Sequence, residues 1–189
     1  MKNISFIFLM LFTAPLMGVG QNKLFQLLPP AQCGVSFVNN VPDSSYMLTN
    51  NYMYSINGGG VAVGDFNNDG LQDFVLTSNY GGISLYINKG GMKFEEAKET
   101  GLISSDWCTG ICAGDANGDG LLDLYVCRSE FMMRSPSNNH LFINQGGLKF
   151  IDRAFQFGVE GKENSTGATF FDMDKDGDLD LYVVNGPNT

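Results

Sequence analysis

The feature that most constrains this chain is an acidic pattern that occurs three times, as DFNNDGLQDF from Asp65, DANGDGLLDL from Asp115 and DMDKDGDLDL from Asp172. The starts lie 50 and then 57 residues apart. Self-similarity at such a period marks a supersecondary unit that covers its apolar face only by stacking on copies of itself. A second pattern alternates with the first, LYINKGGMKF from Leu85 and LFINQGGLKF from Leu141, 56 residues apart. Each full unit therefore contains an acidic loop followed by a strand, a Gly-Gly turn and another strand. Two full units and the start of a third are present.

The residues around the acidic loops have strand character: Val61 to Val63 before the first, then Asp73 to Thr77, Asp123 to Cys127 and Asp180 to Val184 after the three loops. The tails LDLYVC and LDLYVV alternate or run apolar, as strands do when neighbouring sheets cover them. Helix-period patterns are absent. Adding the LYIN-type and KF-type strands gives about four strands per unit, which is one blade of a β-propeller. The expected fold is all-β, with blades of four-stranded antiparallel sheets at about 58–106 and 107–163 and a partial one at 164–189. Residues 21–57 are expected to form an amino-terminal segment with an edge strand. A closed propeller takes four to eight blades. A chain stopping at Thr189 is thus expected to be a fragment with an exposed edge open to pairing.

Residues 1–20 have the pattern of a secretory signal, with Lys2 ahead of an apolar run from Ile4 to Met17 and the small residues Gly18 and Gly20 before Gln21. The run is too short for a membrane span, and no second apolar stretch approaches the required length. An exported chain, secreted or held at the cell surface, with no membrane span after cleavage is expected. The net charge of −9 makes nucleic acid an unsuitable partner. Eleven of the twenty carboxylates fall inside the three repeated loops, which points to cation binding. The four cysteines, Cys33, Cys108, Cys112 and Cys127, permit disulfides in an exported protein. Cys108 and Cys112 share parity on one expected strand and Cys127 lies on the next, so small buried core residues are an equally good reading. Zinc is disfavoured, because no CxxC pair occurs and the single histidine is remote in sequence.

Calcium takes six to eight oxygen ligands from carboxylates, amides, backbone carbonyls and water. The first loop offers Asp65, Asn67, Asp69 and Asp73 at positions 1, 3, 5 and 9, the carbonyl of Leu71 at position 7, and Gly70 for the sharp turn. The second repeats this with Asp115, Asn117, Asp119, Leu121, Asp123 and Gly120. The third does so with Asp172, Asp174, Asp176, Asp178, Asp180 and Gly177. Two carboxylates about 5 Å apart repel by roughly 3 kcal/mol at an effective dielectric near 20, so a dication would act as a folding staple. A single DxNxDG segment is as often a simple Asx turn, but three copies at blade spacing are not. An EF-hand is excluded by Leu76, Val126 and Val183, which stand where its bidentate Glu would be.

These residues resemble FG-GAP/VCBS repeats, the integrin-alpha-like propeller blades. More narrowly, NGGGVAVGDFNNDGLQDF, WCTGICAGDANGDGLLDLYVC and STGATFFDMDKDGDLDLYVVN are similar to the amino-terminal part of exported ASPIC/UnbV proteins of the cartilage acidic protein type. The resemblance spans roughly Gly34 to Asn185 and implies about seven blades, with up to three calcium ions held by the loop residues already named. The third loop departs from the pattern, with Phe171 in place of Gly64 and Gly114, and with Lys175 and Asp178 added. No ASPIC/UnbV segment is visible.

Three functions compete. A non-catalytic calcium-binding module for extracellular recognition or adhesion, with a protein or glycan partner, leads. The alternative is the propeller part of a polysaccharide-acting hydrolase or lyase, since fold does not decide function. For that, His140 has no GxSxG serine or patterned acid partner. Arg128, Glu130 and Arg134 are expected in a solvated charged loop. Asp106 and Trp107 would offer a sugar platform, although Trp107 suits the space between blades better. The third reading is a structural spacer in a larger exported polypeptide.

Overall fold

In a computed structural model, the residues described are 24–39, 41, 58–80, 82–105, 107–129 and 138–186. They form two four-stranded antiparallel sheets and one two-stranded sheet. The first contains β1 (Val61–Gly64), β2 (Asp73–Thr77), β3 (Ile83–Asn88) and β4 (Phe94–Glu96), adjacent in chain order. The second repeats that order with β5 (Cys108–Gly114), β6 (Asp123–Arg128), β7 (His140–Asn144) and β8 (Phe150–Asp152). β9 (Ser165–Phe171) pairs with β10 (Asp180–Asn185) in the third. Two one-turn helices accompany them, α1 (Pro30–Cys33) and α2 (Ala154–Phe157). Among the described residues, no helix is long and apolar enough to cross a membrane.

Each acidic loop joins the first two strands of its sheet, and the Gly-Gly turn joins the last two. The register places Gly64 opposite Asp73 and Gly114 opposite Asp123, so the loops leave their hairpins at equivalent points. The turn after β3 has three consecutive residues at positive φ, Gly90, Gly91 and Met92, and the turn after β7 repeats this with Gly146, Gly147 and Leu148. Two glycines are needed there because a Cβ makes that region costly.

The sheets stack face to face and the core lies between them. One buried cluster joins Ala62, Phe66 and Val75 of the first sheet to Ile111, Leu124 and Val126 of the second. Another joins Tyr125 and Cys127 of the second to Ala168, Phe170 and Leu181 of the third. The leading strands β1, β5 and β9 come very close together, and glycine allows it. A Cβ on Gly60 would stand 2.8 Å from Ile111 N, and one on Gly110 2.7 Å from the Cα of Gly167. Hydroxyls lock the same seam. Thr77 Oγ1 donates to Thr109 O at 3.0 Å, and Thr109 Oγ1 donates to Ser165 O at 2.7 Å.

β5 carries a register shift between Cys108 and Ile111 that the sequence pattern does not announce. The bulge breaks the expected parity: Cys108 packs with Ile111 in the first cluster, while Cys112 faces the second. No disulfide links the four cysteines. Burial pushes the Cys112 thiol up to about 11 and that of Cys127 up to about 12, so both behave as small apolar side chains rather than nucleophiles or metal ligands. The described part of the amino-terminal segment, residues 24–39 and 41, contains α1 and no strand.

Candidate metal centre

The three acidic loops are built alike. In the first, Asp65 accepts the N–H of Asp69 on Oδ1 at 3.0 Å and that of Gly70 on Oδ2 at 2.7 Å. Asp69 in turn accepts the N–H of Leu71 at 2.9 Å. The second loop repeats these bonds, from Asp119 and Gly120 to Asp115 at 3.1 and 2.8 Å and from Leu121 to Asp119 at 2.9 Å. In the third, Asp172 accepts from Lys175 and Gly177 at 2.6 and 3.2 Å, and Asp176 from Asp178 at 3.1 Å. Position 6 is a positive-φ glycine in each, Gly70, Gly120 and Gly177. Position 4 is also left-handed, filled by Asn68, Gly118 and Lys175. Sequence reasoning passed over that position. The Asn-Gly-Lys choice hides the shared conformation, although Asn and Gly there were a usable signal.

Position 3 separates the loops chemically. Asn67 and Asn117 donate their amides to Asp69 and Asp119, both at 2.9 Å, which places a neutral donor between carboxylates. Asp174 stands there in the third loop, and oxygens of Asp172, Asp174 and Asp176 lie within 4.8 Å of one another, all exposed. A bond from the Asp178 N–H holds the Asp176 carboxyl below its ordinary range, while sharing a side-chain bond with Asp176 pushes Asp178 up.

The position 9 carboxylates lie deeper than the rest. Asp73 is fully buried and accepts the N–H of Phe66 on Oδ2 at 3.1 Å and that of Asn88 on Oδ1 at 2.8 Å. Asp123 is equally buried and accepts from Ala116 and Asn144 at 2.9 and 2.8 Å. Asp180 accepts from Met173 at 2.8 Å. Burial raises the carboxyls of Asp73 and Asp123, their two backbone donors pull them down, and the loop carboxylates raise them again. This residue ties the start of each loop to the sheet beneath it. Asn88 and Asn144 complete the support: Asn88 donates to Gln72 O at 2.9 Å, whereas Asn144 reaches both Leu122 O at 3.2 Å and Phe66 O of the preceding sheet at 3.1 Å.

The donor set is all oxygen, three side chains at the tip of each loop and a fourth below them, with no sulfur or imidazole. That chemistry fits a hard cation such as calcium. Asp65, Asn67, Asp69 and Asp73, with their counterparts in the other two loops, would hold it, and the ion would supply charge neutralisation rather than reactivity.

The residues considered for catalysis fare differently. His140 does have an acid partner, since its Nδ1 lies 2.7 Å from Asp152 Oδ2 across β7 and β8. The first sheet makes the same link with other chemistry, where Ser84 Oγ donates to Glu96 Oε1 at 3.0 Å. The equivalent place on the two strand pairs is thus bridged once with histidine and once without it. Arg128 is not in a solvated loop: it is buried at the end of β6, with Nη1 donating to Asn138 O at 2.6 Å. Trp107 is buried, as expected of a residue between blades. Asp106, Glu130 and Arg134 lie outside the described residues.

Stacked four-stranded antiparallel sheets, each with an acidic loop at the same corner, define a blade-repeat protein of the β-propeller type. The FG-GAP-like repeat model matches residues 65–126 and 127–183, well over half of the chain, and the chain belongs to that family. A search of curated proteins finds no match.

Proposed function

We propose that the chain is an exported, non-catalytic module whose acidic loops bind calcium and whose blades present a recognition surface to an extracellular protein or glycan. The observation that carries the reading is the threefold recurrence of one oxygen-lined loop, held by equivalent backbone bonds to Asp65, Asp115 and Asp172. Without a cation, carboxylates are held close together by a fold that also buries Asp73 and Asp123. A dication relieves that repulsion, so binding and folding are linked. The signal-like residues 1–20 support export.

The test is a calcium titration of the chain from Gln21 onward, by calorimetry and thermal melting, beside the triple variant Asp69→Ala, Asp119→Ala, Asp176→Ala. The expected result is about three ions bound and a higher melting temperature in millimolar calcium, both absent in the variant. A folded wild-type chain that binds no calcium at millimolar concentration would sink the proposal.

A further inference from the structure

Asn-Gly occurs three times in the chain, at Asn57, Asn117 and Asn185, and the second acidic loop surrounds the Asn117 pair with groups of opposite roles. Asn117 and Gly118 are both exposed. The Gly118 N–H donates to Asp115 Oδ1 at 2.8 Å, so the nitrogen that follows the Asn117 side chain rests on a carboxylate. Asp119 grips the side-chain amide from the other side. Its N–H donates to Asn117 Oδ1 at 3.1 Å, and its Oδ2 accepts from Asn117 Nδ2 at 2.9 Å. A base on the nucleophilic nitrogen and a backbone donor on the carbonyl oxygen are what an acyl transfer needs. Gly118 adds access, since it carries no Cβ to shield its nitrogen.

Two other asparagines have half of this arrangement each. Asn67 of the first loop is held by Asp69 through the same two bonds, at 2.9 and 3.1 Å, but Asn68 follows it and its Cβ crowds the attacking nitrogen. Asn185 is followed by Gly186, but the Gly186 N–H donates to the carbonyl of Asn164 at 2.7 Å, an acceptor without useful basicity. Asn57 lies outside the described residues.

We propose that Asn117 is a self-modification site, where the second loop promotes its own deamidation. The Gly118 nitrogen gives its proton to Asp115 and bonds to Cγ of Asn117. The Cγ–Nδ2 bond then breaks, and Nδ2 leaves as ammonia with the proton that Asp115 held. Water opens the resulting cyclic imide at either carbonyl, returning a hydrogen to the Gly118 nitrogen and leaving aspartate or isoaspartate. No oxidant or reductant is consumed, and the step uses only groups of this loop and water. Its product places a carboxylate at position 3, as Asp174 does in the third loop, where an amide had separated Asp115 from Asp119. The second loop therefore gains negative charge as the protein ages.

The test is peptide mapping by mass spectrometry of the chain from Gln21 onward, aged at neutral pH, beside the same chain unfolded in guanidinium. Circular dichroism confirms the fold, and calcium is kept at the lowest level that maintains it. The amide-to-acid mass gain is followed at Asn117, Asn67 and Asn185. Each rate is divided by that of the same site in the unfolded chain, which removes the effect of flanking sequence. The ratio at Asn117 is expected to exceed the other two by about tenfold or more, somewhat under the usual contribution of a positioned general base because this loop is exposed. Asp115→Asn keeps an accepting oxygen but removes the base, and should slow conversion at Asn117 by a similar factor. A carboxylate that merely restrained the loop would, on removal, speed it instead. A ratio at Asn117 no higher than that at Asn185, or conversion in Asp115→Asn as fast as in the wild type or faster, would overturn the proposal. The first comparison needs no variant and stands should Asp115→Asn fail to fold.

Discussion

Asn144 tests whether the sheets are clamped by specific polar contacts or only by apolar stacking. Its side chain is fully buried and serves three backbone groups: Nδ2 donates to Phe66 O and Leu122 O, and Oδ1 accepts from Gly146 N at 3.0 Å. Asn144→Ala leaves all three without that partner. At about 1 kcal/mol per lost bond, with a further desolvation penalty for the buried Phe66 carbonyl, the expected cost is about 3 to 4 kcal/mol. The internal control is Asn88→Ala, at the same position of the first sheet. There the side chain makes one exposed bond to Gln72 O and one to Gly90 N at 2.9 Å, and reaches no other sheet. Both bonds lie near solvent, where water can take the lost partner's place, so the expected cost is smaller, about 1 kcal/mol for the two together. Urea unfolding by linear extrapolation, in one buffer for all three proteins, gives both numbers, and the slopes show whether the unfolding units remain the same. Equal losses for the two variants would refute the clamp, because they would place the contribution of Asn144 in its own hairpin turn and not in the link to Phe66.

Two further predictions concern the close approach of strands and the buried carboxylates. Gly110→Ala places a methyl group 2.7 Å from the Cα of Gly167, so a loss of about 1 to 3 kcal/mol or more is expected in the same assay, whereas Gly118→Ala, facing open space but at φ 75°, should lose only about 1 kcal/mol. Burial raises the carboxyls of Asp73 and Asp123 in the folded chain above the usual carboxylate range. The folded state therefore binds more protons than the unfolded one between the ordinary and the raised range, so the calcium-free chain should gain stability from these groups as pH falls through the raised range. Saturating calcium should flatten or reverse that trend, and melting curves at several pH values, with and without chelator, check the sign.

How far the sequence carried depended on the range of the interaction involved. The strands beside each loop were legible because alternation and β-branching act over two to six residues, and β2 runs from Asp73 to Thr77 as the pattern indicates. Position 6 glycines were legible because a tight turn needs them locally. The acid partner of His140 was not, since Asp152 reaches it only through the pairing of β7 with β8. Nor was the bulge in β5, which moves Cys108 and Cys112 to different clusters without any change in residue type.

By itself, then, the chain's sequence determined that it repeats, that its units are four short strands around an acidic loop, and which oxygens line that loop, because each of these follows from contacts between residues near in sequence. Only the tertiary structure decided that the ninth loop residue is a buried anchor and that Asn144 ties one blade to the one before it. Burial and cross-sheet hydrogen bonds are properties of what stacks against a residue, and the neighbour that stacks is set by chain segments tens of residues away.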